Sequence, residues 1–128
     1  MRKFGRLAPW GVALVSFAVF WPSLQTGFVD WDDEQNYLAN PDYRGLGLAH
    51  LRWMFTTFHS AHYQPLSWLT LGFDHALWGM NPWGYHLTNV VLHALNAVIF
   101  FFLARRLLRL ALPSPADQDG GFVSAAVV

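Results

Sequence analysis

Between Leu7 and Leu24 the chain runs for 18 residues without a charge. A helix crossing a hydrocarbon core about 30 Å thick needs about 20 mostly apolar residues, and about 17 suffice. Residues 7–24 therefore predict a first membrane span, with Trp21 and Pro22 suited to its far interface. A cleaved signal peptide also opens on basic residues, but its apolar region is shorter and ends at a small-x-small site. The stretch FWPSLQTGF offers no such site. The second long apolar tract lies in NPWGYHLTNVVLHALNAVIFFFLARRLLRL. Asn81 fits an N-cap and Pro82 a first helical residue, and residues 82–110 predict a second span. After the turn-rich ALPSPADQDGG, residues 121–128 end in FVSAAVV. That is too short to cross a bilayer; we expect the start of a third span that continues past Val128.

The connection, residues 25–81, has helical patterning of its own. Leu48, Leu51, Phe55 and Phe58 follow a 3, 4, 3 spacing, and Leu66, Leu69, Phe73 and Leu77 follow 3, 4, 4. Each set falls on one face of a helix. Pro65 predicts the start of the second helix and Gly79 its end. Ser67, Thr70 and Asp74 share its opposite side. Trp53, Trp68 and Trp78 lie on these segments, and tryptophan favours the membrane–water interface. The expected architecture is an all-α integral membrane protein: two complete transmembrane helices, the start of a third, and amphipathic interfacial helices in the first extracytoplasmic loop. The alternative for the loop helices is packing beneath a soluble domain supplied by further chain.

Composition supports a membrane protein. Apolar residues make up 54% and charged residues 12%, against about 25% charged in a typical soluble domain. Formal net charge is zero, so no basic field argues for nucleic acid. With no cysteine, disulfides and thiolate metal sites are excluded. The charges are unevenly placed. Arg2, Lys3 and Arg6 precede the first span, and Arg105, Arg106 and Arg109 close the second. By the positive-inside rule both ends are cytoplasmic and the loop is outside. Residues 25–86 hold six acidic side chains and two arginines, a net charge of −4. A bacterial inner membrane, with a cytoplasmic N-terminus, is the expected location.

Two polar features remain. His86, Asn89, His93 and Asn96, spaced 3, 4, 3, occupy an arc of about 80° on the second span. Such a stripe avoids lipid and faces protein or a water-filled cavity. His86, nearest the outer surface, is a candidate for lining a substrate pocket. His86 and His93 are seven apart and lack a third ligand, so no metal is expected there. The second feature is FVDWDDEQNY at 28–37, which crowds Asp30, Asp32, Asp33 and Glu34 just past the first span. By pattern alone it is a solvated loop, a cation site or a set of catalytic carboxylates.

The stretch GFVDWDDEQNYLANPDYRGL, followed by YQPLSWLTLGFDHALWGMNPWGYHLTNVVLHALNAV, resembles the N-terminal region of membrane glycosyltransferases of the GT-C class that carry tetratricopeptide (TPR) repeats, the transmembrane and TPR-containing O-mannosyltransferases. The resemblance covers about residues 5–128. It rests on Phe28-Val29-x-Trp31-Asp32-Asp33, Asn40-Pro41, Pro65-Leu66, Asn81-Pro82 and the His86/Asn89/His93/Asn96 stripe, in that order. It implies further membrane helices and C-terminal TPR units, and transfer of a sugar, often mannose, from a polyprenyl-phosphate donor to a protein or glycan acceptor outside the cytoplasm. It places the carboxylate pair of the first loop on Asp32 and Asp33, with Asp32 as base. Gln64 stands where relatives often carry arginine before the Pro-Leu pair.

The chemistry accounts for acids at this depth. A lipid-linked donor holds its phosphate at the headgroup level, and Asp32 and Asp33 follow Leu24 closely enough to wait there. A positioned carboxylate that takes the acceptor hydroxyl's proton contributes about 10² to 10⁴ in rate. Arg44, Arg52, His59 and His62 are candidates, by sequence proximity, for the leaving phosphate; Gln64 and His86 complete the substrate-binding set. A divalent cation on Asp32 and Asp33 is the alternative aid to the leaving group. Because a pocket of this class is enclosed by further helices, the 128 residues alone are expected to be inactive. Two rival functions remain open: a non-catalytic membrane scaffold of a TPR protein, and a transporter whose polar stripe lines a path.

Overall fold

A computed structural model describes residues 4–112. The expected start of a third span lies outside the described residues. Four helices account for most of the described chain: α1 (Phe4–Phe20), α2 (Leu48–Thr56), α3 (Pro65–Trp78) and α4 (Pro82–Ala111). A 3₁₀ turn, Trp21–Gln25, extends α1, and a wide π-type turn, Glu34–Leu38, follows the paired aspartates. Among the described residues no strand forms, apart from one isolated antiparallel bridge between His59 and His62.

Leu7–Gln25, with mean hydropathy 1.6, and Pro82–Ala111, with 2.0, are long and apolar enough to cross a membrane. Their side chains suit that environment. Leu7, Trp10, Leu14 and Val15 of α1, and Ile99, Phe100, Leu103 and Leu107 of α4, are all exposed. A helix with so much apolar surface is unstable in water and stable in lipid.

The chain divides into two compact units, one of them Phe17–Leu92, the other the described parts of Met1–Ser16 and His93–Val128. The first carries the loop and its core. Tyr43, Met54, Trp68 and Tyr85 are buried together, with Phe28, Tyr37, Leu51, Trp53, Leu69 and Leu71 packed around them. Burying each of these large side chains contributes about 1.5–3 kcal/mol. Two glycines permit the approach. A Cβ on Gly72 of α3 would meet Met54 Cε at 2.6 Å and the carbonyl oxygens of Gly45 and Tyr43 at 3.0 Å. A Cβ on Gly84 of α4 would collide with the Trp78 side chain.

Local punctuation matches the sequence. Pro65 opens α3, and Gly79 ends it with φ 61°. Asn81 caps α4 by accepting the Trp83 N–H at 3.1 Å, ahead of Pro82. Apart from Leu51 and Leu69, which pack against the core, the two apolar stripes are left uncovered by the described chain. Phe58 lies beyond the end of α2. Of the two apolar stripes, Leu48, Phe55, Leu66, Phe73 and Leu77 are exposed. The core is built instead on Met54, Trp68 and Gly72. Asp74, expected on the polar side of α3, is only 3% exposed, and it accepts a hydrogen bond from Thr88. The stripe on α4 is not a buried seam within the chain. Asn89, His93 and Asn96 are exposed, and His86 is half-buried.

Candidate active site

The acidic stretch begins where α1 and its 3₁₀ turn run out. The Thr26 hydroxyl donates to the Ser23 carbonyl at 2.7 Å, which closes the turn. Beyond Gly27 the Phe28 ring points inward, 5.4 Å from Tyr85 and 5.7 Å from Tyr37. The chain then folds back on itself. Trp31 N–H donates to the Val29 carbonyl at 2.9 Å, and Val29 N–H donates to Oδ2 of Asp33 at 2.9 Å. A carboxylate bonded to a backbone N–H four residues earlier ties down the start of the turn.

This bond separates the two aspartates that the sequence pairs. Asp33 is half-buried and holds the turn, whereas Asp32 is exposed. Glu34 lies in the π-type turn, and its carbonyl accepts the Ala39 N–H at 2.7 Å. Among the described residues no group of three or more His, Cys, Asp or Glu converges as a metal site. One Asp33 oxygen is bonded to the Val29 amide, which leaves Oδ1 of Asp33 and the exposed Asp32 carboxylate as the remaining acid oxygens of the pair.

An aromatic floor lies beneath the turn. Tyr37 packs 6.4 Å from Tyr43 and 6.0 Å from Tyr85, ring centre to ring centre. Burial pushes the Tyr37 phenol above its ordinary pKa, and the negative charge of Asp33 adds to the shift, so the ring stays neutral. The Tyr43 and Tyr85 hydroxyls lie 3.3 Å apart, and Tyr85 donates to the Gly79 carbonyl at 3.0 Å.

His86 reaches the root of the acidic stretch. Its Nε2 is 3.2 Å from Thr26 Oγ1 and 3.4 Å from the Gly27 carbonyl oxygen. The Thr26 hydroxyl proton already goes to Ser23, and a carbonyl only accepts, so His86 Nε2 is the donor to both. The residue therefore clamps the loop to α4.

The other site candidates lie on α2 and its connection to α3. Arg52 is exposed and lines a groove of about 490 Å³ with Leu48, Ala49, Trp53, Thr56 and Thr57. His59 turns inward, edge-on to Trp53 at 5.9 Å and Trp68 at 5.2 Å, with Nε2 buried and no hydrogen-bond partner. His62 is exposed, and Gln64 is the half-buried cap residue of α3. Arg44 binds backbone carbonyls of the acidic turn. The structure thus links Asp33, His86 and Arg44 to one loop, and puts Arg52, His59, His62 and Gln64 on another segment. Sequence reasoning missed Tyr37, Tyr85 and Asp74. Spacing does not show that Tyr37 meets Tyr85, or that Asp74 meets Thr88, because these contacts join separate elements.

The chain's homologues are protein O-mannosyl-transferases. It is 34% identical over 106 residues to protein O-mannosyl-transferase Tmtc1 of Drosophila melanogaster, a match covering 77% of this chain and 12% of the relative. To human protein O-mannosyl-transferase TMTC1 it is 36% identical over 117 residues, covering 79% and 13%. To mouse protein O-mannosyl-transferase TMTC2 it is 46% identical over 46 residues, covering 36% and 6%. The chain therefore spans only a small part of each of these relatives. No family model matches it, and no solved structure matches it significantly.

Proposed function

We propose that this chain is part of a membrane glycosyltransferase of the GT-C class. It would move a mannose-like sugar from a polyprenyl-phosphate donor to an acceptor hydroxyl, on protein or glycan, outside the cytoplasm. In this reading α1 and α4 cross a bacterial inner membrane with the N-terminus in the cytoplasm. The loop lies outside, with α2 and α3 along the interface. Kinship to O-mannosyl-transferases supports the reaction class.

One observation carries the assignment of roles. Asp32 is exposed at the head of a braced turn, while its neighbour Asp33 is tied to the Val29 amide. Asp32 is the base. It takes the acceptor proton as the hydroxyl oxygen bonds to the anomeric carbon and the bond from that carbon to the phosphate oxygen breaks. Asp33 holds the turn. Arg52, exposed beside Thr56 and Thr57, is the cation for the departing phosphate, with His62 and Gln64 as secondary contacts. His86 fixes the loop root, and His59 serves packing rather than ligand binding.

The test compares Asp32→Asn and Asp33→Asn in the full-length protein in membrane vesicles supplied with a polyprenyl-phosphate mannose. Asp32→Asn should lower transfer by about 10² to 10⁴ with membrane insertion unchanged. Asp33→Asn should weaken the turn as well as lower the rate. Wild-type transfer by Asp32→Asn would overturn the assignment of Asp32 as the base, and a wild-type protein that transfers no sugar would favour the scaffold.

A further inference from the structure

Residues 25–86 contain two cations, Arg44 and Arg52, and either is available by charge to an anionic donor. The structure separates them. One guanidinium nitrogen of Arg44, Nη2, donates to the Tyr37 carbonyl at 2.9 Å and to the Leu38 carbonyl at 2.6 Å. These are the last two carbonyls of the Glu34–Leu38 turn. Carbonyls at the end of a helical turn lack partners within it, and a cation there satisfies them and opposes their dipole.

The geometry points to Arg44 as a positioning residue that fixes the turn bearing Asp32 and Asp33, rather than a phosphate ligand. The kinetic part of this inference rests on the glycosyltransferase reading; the structural part does not.

The acidic turn is held at both ends. At its start Asp33 accepts the Val29 N–H. At its finish Arg44 grips two carbonyls. The Tyr37 ring between them is wedged against Phe28, Tyr43 and Tyr85. Arg44 is itself well anchored. Its amide donates to the Pro41 carbonyl at 3.1 Å, and Asp42 N–H donates to Oδ1 of the buried Asn40 at 3.0 Å. His50 of α2 bonds the Asp42 carbonyl through Nδ1 at 2.8 Å. The guanidinium Nε is buried without a hydrogen-bond partner. An arginine so engaged has its charge turned toward the backbone. Arg52, exposed on its groove, is the cation left for a phosphate.

Arg44→Gln and Arg44→Lys in the purified full-length protein test this. Two measurements are made: hydrogen exchange of the peptide covering 29–39, and initial rates with a polyprenyl-phosphate mannose. In Arg44→Gln, exchange across 29–39 should accelerate at least tenfold while 65–78 is unchanged. The turnover rate should fall at least tenfold with donor KM within twofold of wild type. Arg44→Lys should be intermediate in both, and it decides the matter if Arg44→Gln loosens the whole loop. Unchanged exchange in both variants would overturn the inference, as would a donor KM raised tenfold or more at unaltered turnover. A wild-type protein that transfers no sugar would sink the functional reading, yet the exchange result would still decide Arg44.

Discussion

Thr88 of α4 donates its hydroxyl proton to Oδ1 of Asp74 on α3, joining the two helices through a carboxyl that is 3% exposed. Burial raises the Asp74 pKa above 3.8, and the Thr88 bond pulls it partly back. A carboxyl with a raised folded pKa binds its proton more tightly folded than unfolded. Its contribution to stability is complete below the unfolded value and is lost as pH rises through the folded one. Wild-type stability should therefore decline as pH climbs from 3.8. Asp74→Asn keeps a hydrogen-bond partner for Thr88 and should flatten that decline. Denaturant unfolding in detergent micelles across this pH range measures the difference, and parallel profiles would contradict it. Asp74→Ala leaves Thr88 without its partner and should cost about 1–3 kcal/mol at low pH.

At Gly72, α3 packs tightly against the Tyr43–Gly45 segment. Gly72→Ala places a methyl 2.6 Å from Met54 Cε and 3.0 Å from two carbonyl oxygens. The flexible methionine can yield; the backbone cannot. Despite alanine's better helix propensity, the substitution should destabilise by about 1–3 kcal/mol. Thermal unfolding of the variant, with Gly11→Ala as a control in open space, checks it. Stabilisation at position 72 would show that the segment shifts freely.

The turn between α2 and α3 is strained. His59 and His62 exchange backbone bonds of 3.1 and 2.8 Å across Ser60 and Ala61. Both central residues have positive φ, 48° and 66°. This two-residue turn favours glycine or asparagine. Left-handed backbone costs an ordinary residue about 1–2 kcal/mol. Ala61→Gly should therefore stabilise the protein by about 0.5–1 kcal/mol after glycine's own entropy cost. Equilibrium unfolding reads the gain, and a loss would show that the alanine methyl packs usefully.

The legible parts of this protein were those governed by neighbours in the chain. Pro65, Gly79, Asn81 and Pro82 set helix ends through backbone geometry and capping, and the structure places them where that chemistry requires. The candidate site was half legible. Four acids past an apolar run single out the stretch as a candidate, but nothing in their order says that Asp33 turns back to Val29 while Asp32 stays exposed. His59 and His62 look alike in sequence. One is wedged between Trp53 and Trp68, and the other is exposed.

By itself, the chain determined two helices long and apolar enough for a bilayer, the helical loop between them and its negative charge. Length, composition and 3.6-residue periodicity are local properties, which need no partner to be read. Tertiary structure alone decided which apolar faces were covered. Periodicity shows that Leu66, Phe73 and Leu77 share a face but not what meets it, and here Trp68, Gly72 and Asp74 turn inward instead. It also decided that Arg44 binds carbonyls and that Asp74 meets Thr88. Such pairings depend on which distant segments the chain brings together, and no short-range pattern records them.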